Sequence, residues 1–175
     1  MTETLYFAGG VAKVPSLEEI SSLPGRIESL ENDKAVKVAL YRGCLDELES
    51  ASRKDLFQAL ELTEKANELE REIDSLWSQV EQFKTELNTQ VTGKLTEARI
   101  LFKKMAGNGS RSFAENPVLQ TAAEAMATAK DQQEGKALTE ALIKAHQACT
   151  LLSGLASEQV RNTLSHHRQR AESLQ

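Results

Sequence analysis

The chain has 175 residues and a formal net charge of −5, with 40% apolar, 27% charged and only 5% aromatic residues. That length suits one core of ordinary size, and few aromatics beside abundant Ala, Leu, Glu, Lys and Gln is the composition of helical bundles and coiled coils. An acidic chain is a poor general nucleic-acid binder, because phosphate counterions are displaced by a basic surface. No run approaches the ~20 apolar residues of a membrane span.

Residues 1–15 are small, mixed and unperiodic, which predicts an extended or disordered arm. With an early Glu3 and no long apolar run, the N-terminus does not read as a secretory signal, so the expected compartment is the cytoplasm. Ser16-Leu17-Glu18-Glu19 is a capping box: the Ser16 hydroxyl can accept from the Glu19 amide while the Glu19 carboxylate reaches back. It predicts a short helix that ends before Pro24, since proline disfavours helical geometry in the residue preceding it. Pro24 itself suits the first turn of a following helix. Residues 16–43 are thus expected to hold one or two short helices, and from about 25 the pattern allows either one helix or two helices meeting near 32–34 or at Gly43.

Residues 44–106 read as the main helix. From Ala59 the apolar positions run Ala59, Leu62, Ala66, Leu69, Ile73, Leu76, Val80, Phe83 and Leu87, alternating steps of three and four, which is a heptad seam. Ala59, Ala66, Ile73, Val80 and Leu87 occupy a positions, with Leu62, Leu69, Leu76 and Phe83 at d. β-branched a residues with Leu at d favour a parallel two-stranded coiled coil, in which Lys65 would meet Glu70 of the partner. Phe57, Leu60, Trp77 and Ile100 lie off the seam and widen the stripe beyond what one neighbour covers. The candidate protein-interaction seam is therefore Leu62, Leu69, Ile73, Leu76, Trp77, Val80, Phe83 and Leu87. Val91 and Leu95 add two steps of four, a stutter, beside the poor helix formers Thr89, Thr92 and Gly93; a bend or hinge is expected there.

Gly107-Asn108-Gly109-Ser110 predicts the helix end, after the basic Lys103 and Lys104. Asn116-Pro117 predicts a new start with Asn as N-cap and Pro at the first helical position, and Ser112 with Glu115 offers an earlier one. Val118, Ala122, Ala125 and Ala129 form a small-residue seam. A polar interval follows from Lys130 to Lys136. Leu138, Leu142, Ala145, Cys149, Leu152, Ala156, Val160, Leu164, His167, Ala171 and Leu174 then carry the register to the end. Helices of about 44–106 and 117–174, joined by a loop at 107–116, should lie antiparallel, residue i opposite roughly 222 − i. The expected fold is all-α: an extended antiparallel helical hairpin or coiled coil (44–175) with one or two shorter N-terminal helices.

Cys44 and Cys149 fall inside helical patterns without a Cys-x-x-Cys pair and read as reduced, buried thiols. Phosphate-loop and His-Glu-x-x-His motifs are absent, as is the Glu-x-x-His of diiron bundles. His146, His166 and His167 read as solvated, and Glu68, Glu70, Glu72 and Asp74 as a solvated face. Arg161, His166, His167, Arg168 and Arg170 complement the C-terminal helix dipole; an acidic protein surface or a phospholipid is the alternative explanation for them. No catalytic, cofactor-binding or metal residue is expected. The function read from the sequence is that of a non-enzymatic coiled-coil interaction protein, a structural subunit or adaptor acting through helix packing, as a homo-oligomer or in a hetero-complex. The alternative is a leaderless secreted helical protein: a translocator, an effector or a pore-forming toxin component.

Overall fold

The computed structural model of the protein describes residues 4–7, 10–13, 16–107 and 116–174. In chain order these form β1 (Thr4–Phe7), β2 (Gly10–Lys13), α1 (Leu17–Ile20), α2 (Leu23–Ala51), α3 (Leu56–Gly107), α4 (Pro117–Glu134) and α5 (Leu138–Ser173). The fold is all-α, with α2 and α3 packed as a helical hairpin. Two compact units divide it: Ser21–Glu86, and Met1–Ile20 together with Leu87–Gln175. Helix α3 supplies residues to both.

The N-terminal arm is extended where it is described. β1 and β2 pair antiparallel, Thr4 opposite Lys13 and Phe7 opposite Gly10. Leu5, Tyr6, Phe7 and Val11 are residue types that suit a pleated ribbon. Residues 1–3, 8–9 and 14–15 of the expected arm lie outside the described residues. The capping box closes as the sequence predicts. The Ser16 amide donates to Glu19 Oε2 at 2.6 Å, and the Glu19 amide donates to Ser16 Oγ at 3.4 Å.

In the 21–86 unit the main helix departs from expectation. Helix α2 runs 29 residues unbroken through 32 and 43, the uninterrupted one of the two alternatives, and the expected continuous helix over 44–106 is divided at 52–55. There the Lys54 and Asp55 amides both donate to the Ala51 carbonyl, at 2.9 and 2.8 Å. Asp55 Oδ1 then accepts from the Phe57 and Gln58 amides at 3.0 and 3.2 Å, an N-cap that starts α3. The chain therefore reverses at this point, and α2 becomes the antiparallel partner of the seam. Leu23, Ile27, Leu30, Lys34, Lys37, Tyr41, Cys44, Leu48 and Ala51 follow heptad steps and are all buried or half-buried. Cys44, Ala51, Ala59, Leu62, Ala66 and Leu69 form one apolar cluster, with Tyr41 and Leu48 packed on it. Farther from the turn, Lys37 Nζ meets Glu72 Oε2 at 2.6 Å and Lys84 Nζ meets Glu31 Oε1 at 2.9 Å. The Arg26 guanidinium lies over the Phe83 ring, 4.1 Å from its centre.

In the other unit, α3 from Leu87 onward packs with α4 and α5. Asn116 Oδ1 caps α4 by accepting from the Val118 and Leu119 amides at 3.0 and 3.4 Å, with Pro117 at the first helical position. Residues 108–115 lie outside the described residues, and with them most of the expected 107–116 loop and the alternative start at Ser112. Ala98, Leu119, Ala122, Ala125, Ala148, Cys149, Leu151 and Leu152 make the core. Small residues on α4 let the helix axes approach closely, and the leucines fill the space between them.

The expected helix over 117–174 is also divided, because the polar interval is a turn. The Ala137 amide donates to the Gln132 carbonyl at 2.8 Å and the Lys136 amide to the Gln133 carbonyl at 3.1 Å. These two bonds define a Schellman motif, with Lys136 in the left-handed position at φ 62°. Helix α5 then returns alongside α4, and the Cys149 thiol donates to the Lys94 carbonyl at 3.2 Å. Helix α3 remains helical through the stutter at 89–93, where the Thr92 and Thr96 hydroxyls bond carbonyls four residues back.

Candidate functional site

The predicted seam residues divide into an inner and an outer set. Leu62, Leu69, Val80 and Leu87 are buried, Val80 completely so at 0% exposure. Ile73, Leu76 and Phe83 are half-buried. Trp77 turns outward and is 57% exposed. Because α2 covers Leu62 and Leu69 within the same chain, the first part of the seam serves as internal core.

What remains outward on α3 is a different set of apolar residues. Leu56, Phe57 and Leu60 sit on its first two turns with exposures of 72%, 83% and 57%. At 100° per residue these three fall within one ~100° arc on the side away from Leu62 and Leu69. Apolar side chains clustered on one helix face mark interaction sites more often than scattered ones do. Phe57 and Leu60 stand out in the sequence as off-seam residues. Leu56 is legible only once Asp55 is recognised as the cap that begins the helix. Helix α2 adds an exposed Val36 and Leu40, one turn apart on its outer side.

Helix α5 ends in a second outward surface. Residues 157–174 are exposed throughout although helical to Ser173. Val160, Leu164 and Leu174, which continue the register of the buried Leu142, Cys149 and Leu152, are 58%, 53% and 78% exposed. The sequence pattern extends a packed stripe to the C-terminus, whereas the packing stops near Ala156.

Charge is distributed unevenly. Residues 21–86 carry fifteen carboxylates against nine Lys and Arg, a net −6; residues 87–175 carry eight against eleven, a net +3. Glu61, Glu64, Glu68, Glu70 and Asp74 on α3, and Arg161, Arg168 and Arg170 on α5, form no ion pairs among the described residues.

The polar groups inside the helices serve packing. Both cysteines are free and buried, as the sequence predicts; Cys44 donates its thiol hydrogen to the Leu62 carbonyl at 3.3 Å. Burial, with Glu97 adding to it, pushes the Cys149 thiol up from its ordinary value, which keeps it protonated and unreactive. His146 is half-buried rather than solvated. Burial lowers its pKa below the ordinary 6.5, with Lys94 contributing in the same direction. His166 and His167 are exposed, their rings 5.6 Å apart in an edge-on contact. Among the described residues no group of three or more His, Cys, Asp and Glu is placed to hold a metal ion, and no helix is long and apolar enough to cross a membrane.

No protein-family model, curated protein or solved structure matches this chain.

Proposed function

We propose that this protein is a non-enzymatic coiled-coil interaction protein of the cytoplasm, a structural subunit or adaptor that joins a larger assembly through outward helix faces. The observation carrying this reading is the exposure of Leu56, Phe57 and Leu60 together on α3, on a helix whose seam from Ala59 to Leu69 is already covered by α2. A chain that needed these residues only for its own core would cover them, and aromatic residues are enriched in the buried cores of protein interfaces. The partner presents an apolar groove or helix face, and affinity comes from burial at roughly 25 cal/mol per Å² of apolar surface, less the cost of association.

A photo-reactive amino acid at position 57 in living source cells tests the reading. Discrete covalent adducts at 57, absent when the same residue is placed at the exposed Arg42, are the expected result. Absence of any adduct at 57 overturns it.

A further inference from the structure

The C-terminal stretch of α5 is helical although no described residue covers it. Ser157, Val160, Asn162, Thr163, Ser165, His166 and His167 are mediocre helix formers, and 157–174 are exposed along their whole length. Helices of this length are marginal in water unless an apolar face is packed. The face that needs packing is narrow. Val160, Leu164, His167, Ala171 and Leu174 lie on one line, bordered by Arg161 and Arg168 on one side and Arg170 on the other. A stripe this narrow, without an aromatic residue, matches the seam of a helix pair rather than the broad apolar face of a membrane-surface helix. Two such tails side by side would bring their bordering arginines together, which disfavours tail-to-tail pairing.

The acidic, unpaired face of α3 supplies the complement. Leu56, Leu60 and Glu64 succeed one another at the same four-residue spacing as Val160, Leu164 and Arg168. Each four-residue step advances ~6 Å along either helix. Parallel alignment therefore sets Val160 on Leu56 and Leu164 on Leu60; because facing parallel helices bring opposite flanks together, Arg170 then lies beside Glu64 and Glu68, while Arg161 and Arg168 border the other flank. We propose that the α5 tail of one copy docks along the Leu56–Leu60–Glu64 face of α3 in a second copy, so that the protein self-associates through an apolar strip bordered by opposite charges. This rests on the reading of that α3 face as an interaction surface and names its occupant.

Sedimentation of the purified full chain at low and high salt tests it, with paired charge reversals. The wild type should associate with rising concentration at about 0.05 M salt and at least tenfold more weakly at about 0.5 M. Arg161→Glu/Arg168→Glu/Arg170→Glu and, separately, Glu64→Lys/Glu68→Lys should each be monomeric with unchanged helicity. An equimolar mixture of the two variants should associate again, because a reversed tail meets a reversed face. A wild type that stays monomeric, reversals that leave association intact, or a mixture that is not rescued would each overturn the proposal. So would salt-sensitive binding of the wild type to phosphatidylserine vesicles without self-association. A monomeric chain that still forms adducts at position 57 in cells contradicts this inference alone and leaves the interaction reading standing.

Discussion

The side-chain amide of Gln133 donates to Asn88 Oδ1 across 45 residues of chain, at 2.8 Å, and it also lies 2.8 Å from Thr92 Oγ1. This contact joins the end of α4 to α3 in the register that an antiparallel α3–α4 pair requires, one residue from the 222 − i expectation. Because the cluster is exposed, Gln133→Ala should cost only about 0.5–1 kcal/mol, measured by urea denaturation. Leu152→Ala, at a fully buried core position, should cost about 2–5 kcal/mol.

Lys136 holds φ 62° without being glycine. A left-handed conformation costs an ordinary residue about 1 kcal/mol or more, so Lys136→Gly should raise the thermal midpoint. Gly43 has the opposite character. It lies within α2, and a methyl group added there meets nothing within 4 Å; Gly43→Ala should stabilise the 21–86 unit by about 0.5–1 kcal/mol. Calorimetry of the two single variants checks both signs.

How much was legible in the sequence follows from these positions. The capping box at Ser16, the cap at Asn116 and the seam from Ala59 are local patterns, and the structure reproduces them. The α2 seam is hidden because Lys34 and Lys37, both half-buried, occupy two of its heptad positions, where long basic side chains can bury their stems and keep the charge at the edge. Val36 and Leu45, apolar residues off this register, are exposed. The turn at 135–137 was hidden because the left-handed residue is Lys136, one position after the glycine that would mark it. Without these two reversals, the sequence led to one long hairpin where the chain folds back twice more. The outward apolar face could not be separated from the inner one until α2 was known to cover the seam.

Lys37 allows the stem to be separated from the charge. Lys37→Met keeps the aliphatic packing and should change stability by less than about 1 kcal/mol, because the Glu72 pair is partly exposed. Lys37→Ala removes the stem as well and should cost more. Equal effects in urea titrations would show that the ion pair dominates.

His146 sets a pH dependence whose sign is defined. Burial first, and Lys94 second, hold its folded pKa below the ordinary 6.5, so on acidification the unfolded chain takes up this proton before the folded one. The stability linked to His146 is therefore held above 6.5 and lost as pH falls from there toward the folded pKa. Denaturation midpoints between about pH 7.5 and 5.5 should fall less steeply in His146→Gln than in the wild type.

The central claim is that the seam is satisfied within the chain while the opposite face of α3 is kept for assembly. Size-exclusion of native extracts, comparing wild type with Leu56→Ser/Phe57→Ser/Leu60→Ser, addresses it most directly. The account predicts that the variant leaves the high-mass fractions and elutes at the mass of the free chain, with its circular-dichroism helicity unchanged. A variant that stays in the high-mass fractions, or one that loses its helicity, would contradict it.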